Sequence, residues 1–423
     1  LKIYQGDILT MTIHTKFLAV LACGVVVTGL AATGPVQAKV EGDTVTLGSA
    51  VSITGRYAVN GKHTKNGYDL GVKFINDKGG ITVGGKKYKL AIKYYDDEST
   101  AARGTQLAER LIQQDQIKYM LGPYSSGMTK AIAPVTEKYG IPMVEGNGAS
   151  RSIFNQGFRY TFAVLSTSEQ YLSTAIDLAA EQAKKEGKDP SSLTIALGVR
   201  NEPFALDIGA GIHDDAKRHG MKIIVDEKFP KEVSDMTSFL TKVKALKPDV
   251  VVVSAHTVGG ALFVRQMTEQ KAGAAIVAMT HCESAKVTDE ATFGKAGEGI
   301  LCAGQWAPEL SYRDSYFGSA MDYTKTFEKV YGYVPPYQAA ESTASVLVYA
   351  DAIARANSFD TVKVRDALAA TDMQTFYGNV KFAPTGQNIA KPMVLRQVQN
   401  GHYKLVAPSA FADTPLNFPR MAK

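Results

Sequence analysis

The 423-residue chain is 45% hydrophobic and 21% charged, with 47 basic against 41 acidic residues and a formal charge of +6. These near-average values exclude a largely disordered or fibrous protein, and the length exceeds what one hydrophobic core usually serves, so two domains are expected. The basic residues are scattered (Lys86-Lys87, Lys184-Lys185, Lys242-Lys244-Lys247) rather than gathered into a stripe with aromatics, so nucleic acid is not an expected partner.

At the N-terminus, Leu1 to Thr10 read as translated upstream sequence. Met11 then opens a short basic segment ending at Lys16, followed by the apolar run Phe17 to Ala32 and the small-residue site Val36-Gln37-Ala38. That order predicts a cleaved secretory signal peptide over residues 1–38, and with it a periplasmic protein. The run is short for a retained membrane span. Val20-Leu21-Ala22-Cys23 loosely resembles a lipoprotein box, but the apolar run continues beyond Cys23. Cleavage removes Lys2, Lys16 and Asp7 and lowers the charge from +6 to +5.

From Asp43 onward, short β-branched runs alternate with amphipathic stretches, the pattern of parallel sheets covered by helices. Strands are predicted at 44–51, 88–95, 117–122 and 141–144, with helices at 62–77, 100–114 and 127–138. Gly79-Gly80 stops the first helix. A second series follows: helix 169–185, strand 193–199, helix 204–219, strand 222–226, helix 236–246, strand 249–254, helix 259–270 and strand 275–279. A strand near 299–306, helices at 316–330 and 338–356, and strands at 377–382 and 393–399 complete the chain. The fold class is therefore α/β, with doubly wound units whose ligands belong at the carboxyl ends of the strands.

Those strand ends carry Ser52 to Tyr57, Tyr124 to Ser126, Gly146 to Ser150, Arg200 to Phe204, His256 to Gly259 and Thr280 to Glu283. At Leu121-Gly122-Pro123-Tyr124-Ser125-Ser126-Gly127 a strand ends in a Gly-Pro turn and a helix opens on two hydroxyls. This is either an ordinary Ser cap or a cradle for an anion, because the first N–H groups of a helix lack internal partners and carry partial positive charge. Gly209-Ala210-Gly211 lacks the third glycine of a dinucleotide fingerprint, and neither a nucleoside-triphosphate loop nor a Gly-x-Ser-x-Gly elbow is present. Asp96-Asp97-Glu98 reads as a solvated strand end rather than acid–base machinery. No enzyme and no cofactor are expected. Cys282 and Cys302 lie near the ends of successive strands and either pair or stay free, since spacing alone does not give their separation. His256, His281, Cys282 and Cys302 are metal-ligating types without metal-ligand spacing, so no metal is expected.

With these strand ends in order, the chain resembles the branched-chain amino-acid-binding proteins, the type I periplasmic solute-binding proteins of ABC importers. The resemblance runs from Asp43 to about Val406 and is carried by Ser52-Ile53-Thr54-Gly55, Gly122-Pro123-Tyr124-Ser125-Ser126, Tyr139-Gly140-Ile141-Pro142 and Phe376-Tyr377-Gly378. It implies two doubly wound Rossmann-like lobes joined by three crossover strands near 163–166, 303–307 and 377–386. One lobe would comprise 43–163 plus 307–376, the other 166–303 plus 386–412. By the same resemblance, Ser126, with Ser125 beside it, and the turn Asn147-Gly148-Ala149 would hold a ligand carboxylate. Phe204 would supply an aromatic from the second lobe, and either His256 or Thr257 the next contact. The position that often carries an acid against a ligand ammonium falls on Cys282, with Glu283 adjacent. A cysteine there leaves a buried amine without a counter-charge. That favours an aromatic or hydrophobic carboxylate over a branched-chain amino acid, with Tyr57, Tyr124 and Phe204 around a ring and Arg56 on its carboxylate. The expected partners are this small carboxylate and ABC permease subunits, for a monomeric receptor. The alternative is a ligand-sensing domain of a signalling system.

Overall fold

A computed structural model describes residues 40–420, so the predicted signal peptide lies outside the described residues. Two seven-stranded sheets organise the chain. The first contains β1 (Val40–Glu41), β2 (Thr44–Val51), β3 (Ile81–Val83), β4 (Lys86–Asp96), β5 (Met120–Leu121), β6 (Met143–Glu145) and β7 (Thr161–Ala163), in the order β3-β4-β2-β5-β6-β7 with β1 beside β2. The second contains β8 (Thr194–Arg200), β9 (Lys222–Phe229), β10 (Val250–Ser254), β11 (Ile276–Thr280) and β12 (Leu301–Gly304). Two small hairpin sheets follow, β13 (Arg313–Asp314) with β14 (Gly318–Ser319) and β15 (Asp372–Thr375) with β16 (Gly378–Lys381). β17 (Val394–Gln399) and β18 (His402–Ala407) then return to the second sheet, whose order is β18-β17-β12-β11-β10-β8-β9.

The inner pairings are parallel: β4, β2, β5, β6 and β7 in one sheet, β9, β8, β10, β11 and β12 in the other. A central parallel strand is covered on both faces and so reads as a continuous apolar run. Val250 to Val253 illustrate this, each at most 1% exposed. Helices Ala320–Tyr331 and Tyr337–Ala356 pack on the first sheet's side, the latter against helix Ala58–Asp77. Gly67 permits that approach, because a Cβ there would lie 2.2 Å from the Ala339 carbonyl oxygen. Gly211, read in the sequence as a partial nucleotide fingerprint, has a packing role: a Cβ would sit 2.1 Å from the Glu169 carbonyl oxygen.

The fold is of the type I periplasmic-binding-protein kind, two doubly wound lobes joined by three crossing segments. Three distant stretches of the chain, around residues 166, 305 and 391, are bound to one another at Ser166. Its N–H donates to Gln305 Oε1 at 3.1 Å, its carbonyl accepts from Gln305 Nε2 at 2.8 Å, and its hydroxyl donates to the Lys391 carbonyl at 2.6 Å. The predicted strand over 117–122 shortens to Met120–Leu121, since β2 pairs with it only at Gly48↔Met120. The structure adds β3, turned back onto β4 by Gly84 and Gly85 at positive φ, and helix Thr361–Ala369, capped by Asp360. Among the described residues no helix is long and apolar enough to cross a membrane.

Candidate functional site

The carboxyl ends of both sheets face one tight cavity of about 10 Å³, room for about one water molecule. Its walls are aromatic: Tyr124, Tyr171, Phe204, His256, His281 and Tyr337, with Leu165 beside them. The rings meet edge to face, Tyr171 with Phe204 at 5.1 Å and Phe204 with His281 at 5.4 Å between centroids. That geometry suits ring quadrupoles. Ser125, Ser126, Asn147, Ala149, Gln338 and Glu341 supply the polar lining.

Helix Ser126–Tyr139 brings its first turn to the cavity, and its start carries the serine cap expected from the sequence. Ser125 is the cap, its Oγ accepting from the Met128 N–H at 3.4 Å. Ser126 Oγ accepts from the Ser150 N–H at 3.0 Å. A hydroxyl that accepts one hydrogen bond still has its own proton to give. In the following turn, the N–H groups of Asn147 and Gly148 both go to Glu145 Oε2. Asn147 Nδ2 donates to Ser342 Oγ at 2.9 Å. Asn147 thus gives one of its two amide protons to helix Tyr337–Ala356.

A polar network closes the cavity across the lobes. Tyr124 Oη accepts from Asn60 Nδ2 at 2.8 Å and lies 3.0 Å from both His256 Nδ1 and His281 Nε2. The phenol has one proton and one remaining acceptor site, so one ring receives its hydrogen bond and the other donates to it. Tyr57 Oη donates to Glu202 Oε2 at 2.9 Å, and Glu202 also pairs with His256 Nε2. Burial works against the charge on Glu202, but the charge and hydrogen bond of His256, with Arg200 and the Tyr57 hydroxyl, hold its carboxyl down to about 2. Burial pushes His281 well below its ordinary range, helped by the neighbouring His256. On the floor of the cavity, burial and the Glu145 carboxylate push Glu341 well above the usual range, while Glu145 itself is raised to about 7 by burial.

His256 separates this inner cavity from an outer pocket of about 310 Å³. Thr257, the alternative to His256 in the sequence reading, lines only the outer pocket and accepts from Asn60 Nδ2 at 2.9 Å. Tyr57 and Arg56 also lie there. Arg56 is 2.8 Å from Glu232 and stacks over the Tyr57 ring at 4.8 Å, so its guanidinium is engaged outside the inner cavity.

Two expected site residues fall elsewhere. Cys282 is fully buried in the second lobe's core and forms a disulfide with Cys302, with Cα atoms 5.7 Å apart. Glu283 pairs with Arg396 on β17. The difference is one of register: β11 ends at Thr280, His281 at φ +65° turns its ring into the cavity, and the next residue points back to β12. The disulfide also removes both thiols from any metal set. Gly148 backs the cavity without lining it; a Cβ there would meet Thr129 Oγ1 at 2.5 Å. Sequence reasoning missed Tyr171, His281, Tyr337, Gln338 and Glu341, of which only His281 lay in a stretch marked as a strand end.

The sequence model of the family described as periplasmic binding protein matches residues 44–402. A Leu/Ile/Val-binding protein homolog 7 from Brucella suis biovar 1 is 24% identical over 401 residues, covering 92% of this chain and 97% of that one. Among solved structures, the substrate-binding protein LivJ of Streptococcus pneumoniae in complex with isoleucine superposes with a TM-score of 0.73 at 19% identity, covering 86% of this chain and 100% of that one. A solute-binding protein of an ABC transporter from Rhodopseudomonas palustris BisB5, in complex with 3,4-dihydroxy benzoic acid, gives 0.72 at 20% identity, covering 85% and 95%. With two opposed sheets, a shared cavity and a family match over most of its length, this chain belongs to the periplasmic binding protein family.

Proposed function

We propose that the protein is an extracytoplasmic solute-binding receptor of an ABC importer, capturing a small aromatic carboxylate between its lobes for delivery to a membrane permease. The observation that carries this reading is Ser126, whose hydroxyl proton remains for an anion at a helix N-terminus inside an aromatic-walled cavity. The absence of a ready counter-charge for an amine supports the aromatic acid over an amino acid. Glu202 is already engaged by His256 and Tyr57, and burial with the neighbouring Glu145 pushes the Glu341 carboxyl well above its usual range. The relatives named for leucine, isoleucine and valine make α-amino acids the comparison set. The reading is of binding without turnover, by a monomer that needs no cofactor.

The test is a thermal-shift and calorimetry panel of benzoates, phenylpropenoates, phenylalanine, leucine and valine, since ligand binding raises the unfolding temperature. Aromatic acids are expected to stabilise the protein most. Ser126→Ala should weaken the best of them about ten- to a hundredfold, the loss of one charge-assisted hydrogen bond. Stabilisation by α-amino acids alone would overturn the aromatic reading, and unchanged affinity in Ser126→Ala would remove that hydroxyl from the site.

A further inference from the structure

We propose that the outer pocket is a second binding site, which takes a small oxyanion, a carboxylate or a phosphate, on the guanidinium of Arg200 with Arg56 and Lys231 beside it. His256 separates this site from the inner cavity, and the inference does not depend on what that cavity holds. A volume of about 310 Å³ is within the range of small-molecule sites, whereas the inner cavity has room for about one water. Arg56 follows β2 of the first sheet, Arg200 ends β8 and Lys231 follows β9 of the second, so the cations converge on the pocket from both sheets.

Arg200 is the centre of the site. It lines the pocket, is 5% exposed, and its Nε has no hydrogen-bond partner among the described residues. Its ion-pair partner, Glu202, stands 3.7 Å away at Oε1, beyond hydrogen-bond reach. That carboxylate is already shared, since Oε2 accepts from Tyr57 Oη at 2.9 Å and Oε1 pairs with His256 Nε2. A buried guanidinium without a matched acceptor is costly, and its planar fork fits the paired oxygens of a carboxylate or phosphate. Arg56 and Arg200 also approach one ring, their guanidinium carbons 4.8 and 5.9 Å from the Tyr57 centroid. Two like charges held against one ring favour an anion close to both. Glu232 is the only acid that lines the pocket among the described residues. Its side chain is 73% exposed and pairs with Arg56 at 2.8 Å, an interaction weak enough for an incoming anion to displace. Against that one acid stand three cations, so the pocket selects for negative charge.

Calorimetry on the full chain in low-chloride buffer, with inorganic phosphate and acetate as probes, tests this on the native protein and on Arg200→Gln, Lys231→Gln and Ser126→Ala. At least one probe should bind the native protein and Ser126→Ala equally, because that hydroxyl belongs to the inner cavity. Arg200→Gln should weaken its binding about ten- to a hundredfold, the loss of a charge-assisted hydrogen bond. Lys231→Gln should weaken it several-fold, and this exposed substitution preserves the comparison if Arg200→Gln fails to fold. Tighter binding of phosphate than of acetate would support the site and assign it to a phosphate; the reverse order would support it and assign it to a carboxylate. Binding of neither probe, or binding that Arg200→Gln and Lys231→Gln both leave unchanged, would overturn the inference. So would binding lost in Ser126→Ala but kept in Arg200→Gln, which would put the anion in the inner cavity.

Discussion

Ser125 occupies φ +87° and ψ 147°, a region that residues with a side chain rarely adopt. Such a conformation costs about 1–3 kcal/mol, whereas exchanging a Ser cap for Gly costs only a few tenths. Added flexibility in the unfolded chain costs Gly roughly 0.4–1 kcal/mol more. Relief of the strain outweighs these two losses, so Ser125→Gly should raise stability by about 1 kcal/mol, read as a higher urea midpoint with an unchanged slope. A lower midpoint would mean that the cap matters more than the strain. The two serines were legible in sequence because a helix start has a local grammar of turn, cap and hydroxyl. Gln338 and Glu341 were not, since they enter the cavity only through packing of helix Tyr337–Ala356 on helix Ala58–Asp77, more than two hundred residues away in the chain.

The segment that follows β11 shows how an element positions a single ring. His281 reaches the cavity at φ +65°, and the next two residues are tied down, Cys282 to Cys302 on β12 and Glu283 to Arg396 on β17. The disulfide closes a loop across a separation of 20 residues, worth about 3 kcal/mol in the chain-entropy account. Cys282→Ala/Cys302→Ala should therefore lower stability by about 2–4 kcal/mol. It should also weaken binding of the preferred acid several-fold, with faster amide exchange confined to residues around His281. Unchanged affinity would show that the aromatic packing against Phe204 holds the ring unaided. The parallel strands were legible as Val-rich runs because burial on both faces erases alternation. The disulfide was not, since pairing depends on the register of β11 with β12, Met279 opposite Cys302, which no local pattern encodes.

At the scale of the whole molecule, the two lobes meet through bonds of unequal worth. Arg56–Glu232 spans the cleft at 2.8 Å, but its side chains are 36% and 73% exposed, and pairs of that kind contribute about 0–1 kcal/mol. Tyr57 to Glu202 spans it at 2.9 Å with both residues 5% exposed, and Glu202 is an ionised acceptor beside His256 and Arg200. On the receptor reading proposed above, in which the lobes open and close around the ligand, removing the phenol hydroxyl deprives that carboxylate of a donor only where the lobes meet, so the cost, about 1.5–3 kcal/mol, falls on the closed form. Because apparent affinity scales with the fraction of molecules that are closed, Tyr57→Phe should weaken ligand binding by up to about ten- to a hundredfold. Glu232→Ala should change it less than about fivefold. Small-angle scattering separates closure from direct contact. With saturating ligand both variants should reach the native radius of gyration, while without it Tyr57→Phe should be the more expanded. Equal effects of the two substitutions on affinity would mean that the buried network does not set the closing equilibrium.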